Sequence, residues 1–189
     1  MDKPRCAWVT SDEVYIDYHD REWGSFDQFH DEHYLFEMLS LEGAQAGLSW
    51  ITILKRRENY RNAFAQFDPI KVSQFSEVDV EMLMNNEGII RNRSKIESTI
   101  QNAKNFLKIQ NQYGSFHEYL LTIFEQKLPI INHWETYHDV PAWTEQSKML
   151  SKELKRQGFS FVGPTICYSF MQAVGIVNDH TTNCWLYDQ

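Results

Sequence analysis

The chain has 189 residues, enough for one ordinary domain or two small lobes sharing a core. Hydrophobic content of 42%, with 14% aromatic side chains, excludes a disordered polymer, and no apolar run approaches the roughly 20 residues a membrane-spanning helix needs. A formal charge of -8 excludes a surface basic all over, which leaves any phosphate-binding role to local clusters of Lys and Arg.

In chain order, Met1 to Thr10 holds no apolar core of a secretory leader. The first distinctive feature is Cys6 followed by His19, answered near the other end by His180 and Cys184. Zinc favours four nitrogen or sulfur donors in a tetrahedron, and these pairs, C-x12-H and H-x3-C, supply two thiolates and two imidazoles. The second spacing fits one face of a helical turn, while the first needs a folded loop. Such a site leaves no position open for water, so its role would be structural. Two alternatives stand beside it: four donors used only in packing, and a Cys6–Cys184 disulfide. With three cysteines and no leader, the chain reads as cytoplasmic, where thiols stay reduced and metal is the favoured use.

Helical periodicity dominates thereafter. Tyr34, Leu35, Met38 and Leu39 recur at helix spacing, and so do Trp50, Ile53, Leu54, Tyr60, Phe64 and Phe67, with Arg57 as the one polar interruption. Glu42 stands out because Leu39 to Leu48 is otherwise small and apolar; the segment buries it unless it caps a neighbouring backbone or faces solvent. Asp68-Pro69 predicts a cap and first-turn proline, and Ser76 with Asp79 and Ser115 with Glu118 follow the capping pattern. Ile96, Ile100, Ala103 and Leu107 mark a long helix that Gly114 ends. Basic runs occur at 55–61, 91–108 and 148–156, and each is either one part of a phosphate-binding face or an ordinary solvated helix surface. The segment from His117 to Trp143, with Pro129, His133, Trp134 and His138, has no motif that assigns it. Strand-like alternation is nearly absent, so the expected fold is all-α and a single domain over 1–189.

Near the C-terminus, Met149, Leu150 and Leu154 give a short amphipathic helix that stops at Gly158, and Pro164 opens another through Ile166, Phe170 and Met171 toward Gly175. Two helices about a tight turn containing Gly163, over about 148–175, predict a helix-hairpin-helix. The start of its second helix, around Gly163 and Thr165, offers backbone amides to a phosphate. Plain helix packing is the alternative.

With these segments in hand, the chain resembles the 3-methyladenine DNA glycosylase I family of helix-hairpin-helix glycosylases. The matching blocks are Cys6-Ala7-Trp8-Val9, Tyr15-Ile16 through Tyr18-His19-Asp20 to Glu22-Trp23-Gly24, and Leu41-Glu42-Gly43 into Gln45-Ala46-Gly47-Leu48-Ser49-Trp50. Further blocks are Gly88-Ile89-Ile90-Arg91, Gly158-Phe159 to Gln172-Ala173, and Val177-Asn178-Asp179-His180. The four metal donors fall where this family has zinc ligands, joining segments 6–19 and 180–184. The resemblance implies a monomer that flips an alkylated base from double-stranded DNA and hydrolyses its glycosidic bond, leaving an abasic site and free 3-methyladenine as product.

For this task Trp8, Tyr15, Tyr18, Trp23 and Trp50 are the expected base-binding rings, since a methylated adenine is cationic while attached to its sugar and aromatic faces attract it. Glu42 is expected on the pocket floor, accepting hydrogens from the exocyclic amine, with Tyr18 beside it in the catalytic set. Leu48, after Ala46-Gly47, is expected to wedge into the gap left by the flipped nucleotide, or else to be a core leucine. Gly163, Thr165, Arg91, Arg93 and Lys95 are expected on the DNA backbone. Phe161 to Cys167 contains no lysine, which implies hydrolysis without strand cleavage. Asp179 lies in the region where many helix-hairpin-helix glycosylases place an aspartate that stabilises positive charge developing on the sugar, but directly before a zinc ligand it is expected to orient His180 instead, and Cys167 to be core. Ala44 stands where relatives often carry glutamine, which puts one peripheral DNA contact in question. A zinc-stabilised DNA-binding module without chemistry, or a purine-binding small-molecule enzyme, would use many of the same residues; release of 3-methyladenine from methylated DNA separates the three.

Overall fold

The computed structural model describes residues 3–125 and 127–187. Short turns link α1 (Glu13–Arg21), α2 (Glu32–Gln45), α3 (Trp50–Leu54), α4 (Arg57–Ala63), α5 (Pro69–Val72), α6 (Glu77–Met84), α7 (Arg93–Tyr113) and α8 (Phe116–Ile123). A longer, mostly irregular stretch leads to α9 (Glu145–Arg156) and α10 (Pro164–Ala173). The expected helical character holds with one addition: Ile130–Ile131 (β1) pairs in parallel with Val177–Asn178 (β2). Strands of two residues leave no alternation to read in a sequence.

Capping chemistry sets the helix starts. Asp68 accepts from the amides of Ile70 and Lys71 ahead of Pro69, Asp79 accepts from the Ser76 amide at 2.7 Å, and Ser115 accepts from Glu118 at 3.1 Å. These local bonds occupy backbone groups that a helix end would otherwise leave open. Gly114 closes α7 as expected. The apolar run from Trp50 to Phe67 does not form one helix. It breaks between Leu54 and Arg57 and again at a 3-10 turn, Ala65–Phe67.

The centre of the molecule is α2, in which every residue from Tyr34 to Ala44 is buried. A helix buried on all faces must be surrounded, and α7, α8 and α10 pack around it. Phe36 meets Phe106 at 5.3 Å between ring centres, and Phe106 stacks on Phe116 at 4.3 Å. The two acids in this helix are treated differently. Glu37 accepts from Arg57 at 2.7 Å and Arg61 at 2.8 Å, and Arg57 also donates to Glu22 at 2.8 Å. Arg57, the polar interruption in the apolar run, is thus a partly buried cation, its side chain 12% exposed, between two carboxylates, the arrangement that makes its burial tolerable. Glu42, one and a half turns further along, has no such partner.

The turn between α9 and α10 is held from outside. Asn102 of α7 donates to the Ser160 carbonyl at 3.0 Å and accepts from the Ser160 amide at 3.0 Å, while Asn105 donates to the Gly158 carbonyl at 2.8 Å. Ser151 donates to the Val162 carbonyl at 2.6 Å. This lattice of bonds holds Phe161 at a φ of +54°, which a bulky residue rarely adopts unaided. Gly43 of α2 lies directly under the turn: a Cβ there would sit 3.4 Å from Cβ of Phe161. At the far end of α10, Gly175 has a φ of +72°, and an added Cβ would fall 2.2 Å from the Ser25 carbonyl oxygen. Only glycine lets the chain turn there against the segment that follows α1.

A candidate active-site cavity beside a Cys/His cluster

The N-terminal segment, α1, the C-terminal end of α2 and one face of α10 enclose a cavity of about 560 Å³. Trp8, Tyr15, Tyr18, Trp23, Glu42 and Trp50, all expected around the base from sequence, line it together, and Thr165, expected on the DNA backbone, lies in the same wall. The rings brace one another: Trp8 meets Tyr15 edge to face at 5.4 Å and Trp23 edge to face at 5.0 Å, and Tyr18 lies tilted against Trp50 at 5.5 Å. Edge-to-face packing fixes ring orientation without filling the space between walls. Tyr15 is further fixed by accepting the Ile51 amide at 3.1 Å.

Glu42 is 4% exposed, and its buried Oε2 has no hydrogen-bond partner among the described residues. Burial without a compensating donor disfavours the charged form, so its carboxyl is pushed up from the ordinary 4.5 to about 8. Burial, and then the nearby Glu42 carboxylate, raises the Tyr18 phenol well above its usual range. A cavity with an unpartnered acceptor on its floor and aromatic walls is shaped for a flat ligand that brings a hydrogen-bond donor, and positive charge on that ligand would restore the ionised carboxylate.

Beside the cavity, the donor atoms of Cys6, His19, His180 and Cys184 all lie within 4.8 Å of one another, and all four residues are buried. Cys184 Sγ is 3.5 Å from both His19 Nε2 and His180 Nδ1, and Cys6 Sγ is 3.6 Å from His180 Nδ1. The edge between an N and an S ligand of tetrahedral zinc is about 3.5 Å, given metal–ligand lengths near 2.05 and 2.3 Å. The outer nitrogens are oriented as well: His19 Nδ1 faces Asp20 at 2.8 Å, and His180 Nε2 faces the Trp23 carbonyl at 3.0 Å. Each acceptor holds a proton on the outward nitrogen and turns the lone pair inward. The two thiols are driven apart, Cys6 upward and Cys184 downward, because each bonds the other and only one readily ionises. Cys6 itself lines the cavity, Trp8 packs on His19 at 5.4 Å, and Trp23 packs on His180 at 4.8 Å. The cluster therefore underpins the aromatic wall.

Outside the cavity, Leu48 is 40% exposed at the tip that follows Gly47, so the core alternative for Leu48 fails. Gly47 has a φ of +80° with open space where a side chain would lie, and Gly163 is equally unobstructed. Arg93 and Lys95 depart from expectation. Arg93 is engaged by Glu77, Glu81 and Glu97. Lys95 donates to the Ala44 and Ala46 carbonyls at 2.8 and 2.6 Å, closing the end of α2. Arg91 is 53% exposed, with Glu87 at 3.9 Å. Cys167 is fully buried core, as expected.

Asp179 is a second correction. The acceptor that orients His180 is the Trp23 carbonyl, and the Asp179 carboxylate is occupied elsewhere, by Asn132 and Trp134 on Oδ1 and by Tyr168 and Gln172 on Oδ2. Sequence reading also missed part of the cavity wall. Tyr168, Ser169 and Gln172 line it from α10, and their spacing from Thr165 marks a polar stripe on an apolar helix that was open to notice. Tyr137, His138 and Val140 to Ala142 close another side, from the stretch that sequence left unassigned, and no local pattern announces them.

Comparison with known proteins matches residues 8–187 to the methyladenine glycosylase family. The DNA-3-methyladenine glycosylase 1 of Escherichia coli (strain K12) is 50% identical over 183 residues, 97% of this chain and 96% of that one. A crystal structure of 3-methyladenine DNA glycosylase I superposes with a TM-score of 0.93 at 49% identity, covering 97% of this chain and 100% of the other. A tyrosine-to-phenylalanine variant of 3-methyladenine DNA glycosylase I, in complex with 3-methyladenine, superposes with a TM-score of 0.90 at 38% identity over 96% of each chain.

Proposed function

The chain belongs to the methyladenine glycosylase family, and from that premise we propose how its cavity excises 3-methyladenine from alkylated DNA. The observation that carries the reading is the buried Glu42 oxygen without a partner on the floor of an aromatic cavity. An adenine extruded into this space lies between the rings of the N-terminal segment and presents its exocyclic amine to Glu42. A methylated purine still bound to its sugar carries positive charge, which the π faces of Trp8, Trp23 or Trp50 and the carboxylate favour over a neutral purine. As the glycosidic bond breaks, that charge moves toward the sugar. Contacts that fix the base through this change lower the barrier without demanding a strong general base, because the alkylated base leaves readily. Water completes the hydrolysis, and an abasic site remains.

The DNA grip is assigned to the α9–turn–α10 unit, read as a helix-hairpin-helix whose open Gly163 and Thr165 amides meet a phosphate. Leu48 serves as the wedge, and Gly43 and Gln45 of α2 tie that tip to the hairpin and the cavity. Arg91 remains for the backbone, and Arg93 and Lys95 are withdrawn from it. The turn from Phe161 to Cys167 has no lysine to attack the sugar, so the reading is hydrolysis without lyase chemistry. We assign the Cys6, His19, His180 and Cys184 cluster to a structural zinc, in a monomer working on double-stranded DNA in the cytoplasm. Zinc, when bound, cross-links the two ends of the chain, and the residues it would bring together carry the aromatic wall. The test is release of free 3-methyladenine from methylated duplex by metal-replete protein. DNA binding with no base released would leave only a binding module.

A further inference from the structure

Asp179 is 1% exposed and its two oxygens divide their work by side. Oδ1 accepts from Asn132 Nδ2 and Trp134 Nε1, both at 2.7 Å. Oδ2 accepts from Tyr168 Oη at 2.5 Å and Gln172 Nε2 at 2.6 Å. The first pair belongs to the irregular strap that runs from β1 toward α9, and the second to the cavity face of α10. Four donors on one buried carboxylate fill its acceptor capacity, so neither oxygen can release its pair without leaving buried groups unpartnered. Backbone bonds fix the root of the strap, with the Asn132 amide on the Asn178 carbonyl at 3.1 Å and the Thr182 amide on the Trp134 carbonyl at 2.9 Å. Beyond that root the strap carries Tyr137, His138 and Val140 to Ala142 along the cavity, facing the rings of the N-terminal segment.

We propose that Asp179 is a positioning residue for base excision: the clasp that fastens the strap to α10 and so sets the width of the cavity around the extruded base. The inference rests on the base-binding reading of the cavity. Its physical content is that the strap has little secondary structure of its own, so its distance from α10 is fixed by what bonds it there. A wall that drifts by about an ångström forfeits much of its contact with the base, whether free or extruded, so the loss falls on binding. Asparagine in place of Asp179 is nearly isosteric but has one acceptor oxygen and an amide that would face two donors, so either the strap pair or the α10 pair must break.

The experiment compares Asp179→Asn and Trp134→Phe with the parent protein, all metal-replete. Limited proteolysis without DNA reads strap attachment, titration with free 3-methyladenine reads the empty cavity, and turnover of methylated duplex reads kcat and KM separately. Asp179→Asn should be cut within 132–142 much faster than the parent. Its Kd for the free base and its KM should rise about tenfold, the scale of one lost hydrogen bond to a charged group, with kcat changed much less. Trp134→Phe, which removes one strap donor and keeps an aromatic ring, should shift the same quantities the same way by less, and it decides the matter if Asp179→Asn does not fold. A strap as protected as in the parent, or a fall in kcat with Kd unchanged, overturns the proposal. Failure of the parent to release base would instead sink the reading of the cavity, because strap protection is measured with no base present.

Discussion

Glu42 combines its proposed role in base recognition with a cost to stability in one side chain. Its carboxyl titrates near 8 in the folded protein against an ordinary value of 4.5, so the folded state holds a proton that the unfolded chain gives up. Between those two values each rise in pH favours unfolding, and at pH 7 the cost has an upper bound of about 3 kcal/mol. Glu42→Gln should therefore be more stable than the parent by about 1–3 kcal/mol at pH 7.5, with the gain gone by pH 4.5, as denaturant melts at the two pH values will show. The same variant should lose excision of 3-methyladenine by about tenfold or more, the scale of one hydrogen bond to a charged acceptor. Parental excision would remove Glu42 from the mechanism. If the ionised form is what receives the cationic base, kcat/KM of the parent rises with pH through a midpoint near 8 and levels off above it, and the Gln variant lacks this limb. Glu42 could be singled out from sequence because its neighbours are small and apolar, which is local information. Arg93 and Lys95 were misread for the complementary reason: a basic run shows where cations are in the chain, not that Glu77, Glu81 or the end of α2 will fold onto them.

At the scale of elements, the α9–α10 turn depends on α7, since the side chains that hold it come from Asn102 and Asn105. Asn102→Ala strips both Ser160 backbone groups of their partner and should cost about 1–3 kcal/mol, with weaker binding to duplex and unaltered affinity for the free base. Equal losses for DNA and free base would show that the turn supports the cavity and not the strand. Gly175→Ala is expected to be more damaging, about 2 kcal/mol or more, because the new methyl meets backbone that cannot swing aside and φ is positive. A thermal melt matching the parent would contradict this. Helix starts at Pro69, Glu77 and Phe116 were legible because their caps are two or three residues away. The strap was not legible, because its partners lie 47 and 45 residues downstream and its shape follows from Asp179, β2 and Thr182 instead of any periodicity of its own.

For the molecule as a whole, the cluster of two cysteines and two histidines links the first helix to the last turn through the core's outer edge. Removing the proposed zinc with a chelator, or substituting His180→Ala, should lower Tm by several degrees, each kcal/mol being worth roughly 2–4 °C at this chain length. Base affinity should fall together with metal content, since Trp8 and Trp23 pack on His19 and His180. Elemental analysis of the purified protein reads the metal directly, and absence of zinc would overturn the assignment. One arrangement described above also bears on how the protein is made. Trp23 is synthesised long before His180, the side chain on which its ring packs. The aromatic wall thus takes part of its support from a residue 157 positions further along, so a fragment ending before His180 is expected to hold free 3-methyladenine more weakly than the full sequence, as titration of the two will show.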